Sequence, residues 1–185
     1  MIVAEIIFVT GGSRSGKSSY AQKRAEALPG PRAYLATCPI IDDEMAERCR
    51  KHQEARSQAA WDTIEEERDI AGILSNDRTH DVILVDCLTL WVNNLIYEAG
   101  QNDRMMTEKD ITEKCRILLA SCATFAGTII FVTNEVGMGI VPDNSLGRSF
   151  RDIAGRCNQI IAGAADEVIF LVSGIPLYLK KREGK

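Results

Sequence analysis

Residues 11–18 read GGSRSGKS and satisfy the pattern G-x-x-x-x-G-K-[S/T] through Gly11, Gly16, Lys17 and Ser18. Glycines at these positions let consecutive backbone N–H groups turn toward phosphate oxygens, and a helix beginning there adds its positive N-terminal end. Lys17 would neutralise the β- and γ-phosphates of a nucleoside triphosphate, and the Ser18 hydroxyl would ligate magnesium. Such a loop needs a second magnesium anchor at the end of another apolar strand, acting through water. VILVDC supplies it as Asp86. A chance glycine-rich turn would also fit the letters, but the apolar run EIIFVT before them and the helix-compatible stretch after them are the context the motif requires.

A second constellation surrounds His52, one of two histidines in the chain. DDEMAERCRKHQEAR opens on Asp42, Asp43 and Glu44, which suit a helix start, and continues without Gly or Pro through Arg56. On that helix Arg48 and Arg56 lie four residues to either side of His52 and share its face, with Met45 and Cys49 close by. Flanking cations disfavour the imidazolium, so the ring would be available as a nucleophile near neutral pH, and they would offset the charge of a nucleotidyl group it acquired. On spacing alone, a solvated face in which Glu54 and the basic residues pair off is the simpler account. His80, just before a strand, reads as a surface residue with no role.

These residues need a scaffold, and 185 residues are enough for one domain. Five apolar, β-rich runs (5–10, 32–37, 81–86, 127–133 and 166–172) have the composition of strands buried on both faces. Between them, Lys17–Leu28, Asp42–Ser57, Arg68–Asn76, Leu88–Ala99, Glu108–Ala123 and Leu146–Ala164 carry helical periodicity. The pattern predicts an α/β fold of three layers, with a mostly parallel central sheet and helices on both faces. Gly100–Thr107 reads as an exposed connection, and KKREGK as a charged, frayed end.

Acids outnumber bases by 26 to 22, so anion recognition should be local to a motif, and nucleic acid is not an expected partner. Six cysteines contain no C-x-x-C pair and, with two histidines, offer no zinc-ligand spacing. Reduced thiols in a cytoplasmic protein are the simplest account. The start MIVAEIIFVTGG has no basic segment and runs into the glycine-rich motif rather than a cleavage site, and no apolar run approaches a bilayer span. The expectation is a soluble protein that is not exported.

The loop alone does not say what is done with the nucleotide. A GTPase switch would carry N-K-x-D after a late strand, where this chain has Asn134-Glu135-Val136-Gly137, and its one D-x-x-G match, DIAG at 152–155, sits in a helical stretch. The chain is short for a motor ATPase with a sensor domain. A small-molecule kinase or a nucleotidyl transferase remains, with a nucleotide-dependent binding module as the alternative of another class.

Taken together, VTGGSRSGKS, YLAT followed by DDEM, the lone His52, VILVDCLTLWVNNL, TNEVGMGIVP (133–142) and FRDIAGRCNQ (150–159) resemble one family. It is the bifunctional adenosylcobinamide kinase and adenosylcobinamide-phosphate guanylyltransferase family of cobalamin biosynthesis, and the likeness runs from residue 5 to Lys180. The phosphate loop is common to many NTPases; TNEVGMGIVP in this position is diagnostic. The resemblance implies two reactions. A nucleoside triphosphate, ATP or GTP, phosphorylates the aminopropanol hydroxyl of adenosylcobinamide. GTP then guanylylates an enzyme histidine, and the GMP passes to adenosylcobinamide phosphate.

By position, His52 falls on the guanylylated histidine. The implied GTP contacts are Gly12, Ser13, Arg14, Ser15, Gly16, Lys17, Ser18 and Ser19 of the loop, then Ala36, Thr37 and Cys38, then Gln53, Glu54, Ala55 and Arg56, and finally Glu65 and Asp86. Cys38 could equally be packing, and Glu65 sits in EEE (65–67), which unaided reads as a solvated helix start. The resemblance also implies trimers. TNEVGMGIVP follows an apolar strand, so it belongs at the carboxyl edge of the sheet, where ligands bind; Asn134 and Glu135 are expected over the phosphates, forming part of the corrinoid or nucleotide pocket.

Overall fold

The computed structural model describes residues 4–39 and 60–181. Seven strands form one sheet: β1 (Glu5–Gly11), β2 (Arg32–Ala36), β3 (Asp62–Glu65), β4 (Val82–Asp86), β5 (Thr128–Val132), β6 (Glu167–Val172) and β7 (Ile175–Lys180). Their spatial order is β3-β2-β4-β5-β1-β6-β7, parallel throughout except for β7, which pairs antiparallel with β6. Five helices are described: α1 (Lys17–Glu26), α2 (Ile70–Asn76), α3 (Leu88–Gln101), α4 (Glu108–Cys122) and α5 (Ser145–Ala164).

The apolar runs explain the centre. β1, β4 and β5 are buried along nearly their whole length, and alternate residues feed two cores. Phe8, Leu35, Val85, Ile129 and Phe131 pack under α2–α5 with Leu88, Ile111, Leu118 and Ile161. Ile7, Val9, Leu84, Ile130 and Ile169 face α1 with Ala21 and Ala25. Parallel strands covered on both sides have no polar face to show, which is why they read as continuous apolar runs. The three-layer α/β expectation holds.

Helix starts follow local chemistry. Asp69 caps α2 by accepting from Gly72 N–H, Asn144 caps α5 by accepting from Gly147 N–H, and Thr107 with Asp110 forms a reciprocal capping box on α4. Helix α3 continues through Gly100 to Gln101, so the expected connection at 100–107 begins only after it. Among the described residues no helix is long and apolar enough to cross a membrane.

Both edge strands escape the sequence pattern. β3 is four residues long and mostly exposed, and β7 alternates around Pro176 with most side chains in solvent. β7 is nonetheless held from both faces. The Tyr178 hydroxyl lies 2.9 Å from that of Tyr20 on α1, and Lys180 Nζ donates to the carbonyls of Gly163 and Ala165 at the end of α5, where the helix dipole favours a cation. Burial, then the Tyr178 hydroxyl, push the Tyr20 phenol up to about 12.

His80 corrects its expected role as an idle surface residue. Its side chain is only 8% exposed and spans Asp77 (Nδ1 to Oδ2, 2.6 Å) and Asp62 (Nε2 to Oδ2, 2.9 Å), fastening β3 to the turn before β4. Burial opposes a charge on the ring, but the bonds to Asp62 and Asp77 outweigh it and raise the His80 pKa. Burial likewise works against the Asp77 carboxylate, and the His80 bond with the Thr79 and His80 N–H groups overrides it, lowering that pKa. A raised histidine pKa contributes stability in full below its unfolded value of about 6.5, and the contribution fades as pH rises through the folded value. At pH 5.5, denaturant unfolding should find His80→Ala about 1–3 kcal/mol less stable than the parent, with the gap narrowing as pH is raised past neutrality. A gap independent of pH would show that the ring acts by packing alone.

Candidate functional site

The phosphate loop leaves β1 at Gly11 and enters α1 at Gly16. A Cβ on Gly11 would lie 2.6 Å from both Leu171 O and Ser15 Oγ, so only glycine fits there. Gly16, with φ +91°, is the N-cap of α1, and Arg14 also adopts a positive φ of 57°. Ser15 N–H closes a turn on Gly12 O (3.2 Å), and Lys17 Nζ reaches back across the loop to Gly12 O (3.1 Å). The Lys17, Ser18 and Ser19 positions thus open α1 at the carboxyl edge of the sheet, as the motif demands.

Two neighbours brace this loop, one of them Glu135, expected over the phosphates, and the other Gly174, which the sequence did not single out. Gly174 N–H, in the β6–β7 turn, donates to Ser15 O at 2.9 Å, and the Gly174 Cα would sit 3.4 Å from a Cβ on Gly16. On the other side, Glu135 N–H donates to Gly11 O at 3.0 Å. Local sequence carries no signal for Gly174, because its contact joins distant segments, whereas Glu135 follows an apolar strand that delivers it to this edge.

Asp86 ends β4, in register with Ala36 of β2 and Val132 of β5. Tyr34 O–H donates to Asp86 Oδ2 at 3.1 Å. A carboxylate has about four lone-pair sites, so capacity remains for a metal-bound water. Burial, then the charge of Asp86, push the Cys87 thiol up to about 11, while Lys17 acts in the opposite sense, so both charges are felt at this strand end. A thiol so raised stays neutral at physiological pH and is no nucleophile. A hydroxyl at Ser18 and a carboxylate at Asp86 are the hard oxygen donors that suit magnesium alongside phosphate oxygens and water.

The segment after β2 behaves differently from expectation at one residue. Thr37 is fully buried, and its hydroxyl donates to Cys87 O and accepts from Cys87 N–H, both at 2.8 Å. Its carbonyl accepts from Asn94 Nδ2 at 2.8 Å. The side chain is thus committed to clasping β2 to β4. Ala36 and Cys38, half-buried, flank it, with Cys38 Sγ near Pro39 O at 3.6 Å. Glu65 does not start a helix: it ends β3 beside Ala36 and is exposed at the same carboxyl edge. Its neighbour Glu66 folds onto the turn before α2, accepting from Arg68 and Asp69 N–H at 2.8 Å each, and the Asp69 then the Arg68 bond lower its pKa. His52, Gln53, Glu54, Ala55 and Arg56, with the helix expected over 42–57, lie outside the described residues.

The loop after β5 is fixed by a buried chain of hydrogen bonds. Thr133 Oγ1 donates to Asn158 Oδ1 (2.9 Å), which leaves Thr89 Oγ1 to donate to Thr133 Oγ1 (3.1 Å) and to accept from Asn134 N–H (2.7 Å). Asn158 Nδ2 completes the circuit on Asn134 O (3.0 Å). Asn134 Oδ1 is buried and finds no partner among the described residues.

With this geometry in place, comparison with known proteins is decisive. The family model described as "CobU: Cobinamide kinase / cobinamide phosphate guanyltransferase" matches residues 7–179. The chain belongs to the CobU family. Relatives of this family include the bifunctional adenosylcobalamin biosynthesis protein CobU of Salmonella typhimurium, 46% identical over 95% of this chain and 99% of that one. The Escherichia coli CobU is 42% identical over the same shares, and the Pseudomonas aeruginosa CobP is 37% identical over 93% of this chain and 95% of its own. Among solved structures, an ATPase from a bacterial type III secretion system aligns with TM-score 0.58 at 14% identity over 92% of this chain. This CobU-family chain spans about half of that structure, and the likeness is one of fold.

Thr37→Val keeps the shape of the clasp and deletes its hydroxyl. It should cost about 1–3 kcal/mol in denaturant unfolding, because Cys87 N–H is left unpaired, while Thr37→Ser should cost far less. If GTP affinity falls in Thr37→Val without any loss of stability, the hydroxyl meets nucleotide rather than Cys87.

Proposed function

We propose that this chain carries out both reactions of its family: phosphorylation of adenosylcobinamide by a nucleoside triphosphate, then transfer of GMP from GTP to adenosylcobinamide phosphate through a guanylylated His52. The observation that carries the reading is the braced phosphate loop, with Lys17 across it and Asp86 at the adjoining strand end, inside a chain that the family model matches from residue 7 to residue 179.

In the kinase step the N–H groups of residues 12–16 and the N-terminus of α1 bind the phosphates, and Lys17 neutralises charge on the transferring group. Ser18 and Asp86 would hold magnesium, which when bound supplies charge neutralisation and orients the phosphates. In the second step His52 attacks the α-phosphorus of GTP and pyrophosphate leaves; the phosphoramidate then delivers GMP to the acceptor phosphate. The segment that carries His52 departs from Pro39, at the same sheet edge as the loop, which is consistent with this role. Ala36, Cys38, Glu65, Gln53, Glu54, Ala55 and Arg56 belong to the proposed GTP site, with Thr37 supporting it from beneath. One loop serves both steps in turn. We place the enzyme in the cytoplasm as a single domain and as a homo-oligomer, a trimer by family likeness, with the exposed Ile175, Leu177 and Leu179 of β7 offering an apolar face.

GTP labelled in its α-phosphate should leave an acid-labile adduct on the protein, and His52→Ala should abolish it. A label that persists in His52→Ala assigns the nucleophile elsewhere. Lys17→Ala should lower both steps by about a hundredfold or more, measured as kcat/KM for each half-reaction.

A further inference from the structure

The two reactions differ in one proton. Phosphorylating an alcohol releases the hydroxyl hydrogen, whereas a phosphate monoester is already anionic near neutral pH, its second pKa being about 6. Only the kinase step needs a base.

Two cavities meet beside the loop. One, of about 400 Å3, is lined by Gly12, Ser13, Arg14 and Ser15. The other, of about 580 Å3, runs between the end of β1 and α5 and is lined by Thr10, Arg151, Gly155, Arg156 and Gln159 among others. Glu135 is the residue they share. Its main chain is locked to Gly11 O, its Oε1 accepts from Gly137 N–H at 3.0 Å, and the residue before it is held by Thr89 and Asn158. A second carboxylate oxygen leaves capacity for another donor.

The larger cavity is built for a polar ligand. Thr10 is 6% exposed, and its hydroxyl, buried on the floor of the groove, has no hydrogen-bond partner among the described residues. An unpaired buried hydroxyl is costly, and a ligand group would satisfy it. Arg151, paired with Asp152, and Arg156, bonded to Thr112 and Gln159, add donors along the wall. At Gly155 an added Cβ would meet nothing within 4 Å, so the groove is open where a bulky acceptor would lie.

We propose that this groove receives the acceptor alcohol and that the Glu135 carboxylate takes its proton during phosphoryl transfer. The inference rests on the kinase reading above. The hydroxyl O–H bond breaks toward the carboxylate while the oxygen forms a bond to the γ-phosphorus. The bond from that phosphorus to the bridging oxygen breaks, the electron pair departs with the nucleoside diphosphate, and the carboxylic acid returns its proton to water. Glu135 is thereby a catalytic residue for the first step alone.

The test measures both steps separately in wild type, Glu135→Gln, Glu135→Asp and Gly155→Leu. Glu135→Gln should lower kcat for phosphorylation of adenosylcobinamide by about a hundredfold or more, with the acceptor KM little changed. It should retain self-guanylylation from labelled GTP and GMP transfer to adenosylcobinamide phosphate, and Glu135→Asp should recover part of the kinase rate. Gly155→Leu, which improves helix propensity while filling the groove, should raise the acceptor KM in both steps by about tenfold or more and leave self-guanylylation intact. Equal losses in both steps for Glu135→Gln, an unaltered kinase rate, or an unaltered acceptor KM in Gly155→Leu would each overturn the proposal. A wild-type chain that phosphorylates no acceptor would instead overturn the kinase reading, so the two failures are told apart.

Discussion

A contact with no room for a side chain governs the nucleotide end of this molecule: Gly11 passes so close to Leu171 O and Ser15 Oγ that even a methyl group would collide. For that approach to exist, β6 must lie beside β1, in register from Ile7–Glu167 to Gly11–Leu171. The chain reaches β6 only by crossing from β5 through α5, over β1, to the far side of the first strand. The connections that leave β1 and β5 therefore run in opposite directions across the sheet, and the crevice opened between them is where an open parallel sheet binds ligands. Fold and site are thus the same constraint seen at two scales.

Around that crevice, hydroxyl groups do the positioning. Thr37 ties β2 to the turn after β4 through its hydroxyl as well as its backbone, and Thr89 and Thr133 link α3, β5 and α5. Each is buried and each both donates and accepts, so the desolvation of the main chain at the strand ends is compensated without charge. At the outer strand, by contrast, charge does the fastening: His80 lies between two aspartates.

The sequence was readable where burial is complete. The central strands announce themselves because both faces are covered, and the phosphate loop because its spacing encodes a backbone path. β3 and β7 were missed for the converse reason: edge strands with solvent on one side lose the continuous apolar signature, and Pro176 argues against an interior strand. Glu65 looked like a helix start because three acids in a row suit one, yet it ends β3, and Glu66 turns to the backbone of the loop that precedes α2. Family likeness named Thr37 as a GTP contact, but its clasp on Cys87 depends on two strand ends meeting in space. The groove beside α5 was out of reach altogether, since its walls come from segments as distant as β1 and β7.

The hydrogen bond from Gly174 to Ser15 ties the beginning of the fold to one of its last turns. During synthesis the residues of the loop appear first, as a flexible run of glycines and serines, and what holds them in shape is translated far later. The loop's shape is accordingly a property of the finished sheet rather than of the motif alone. Long-range closure of this kind slows folding, because the loop's shape waits on a contact with one of the last turns of the chain.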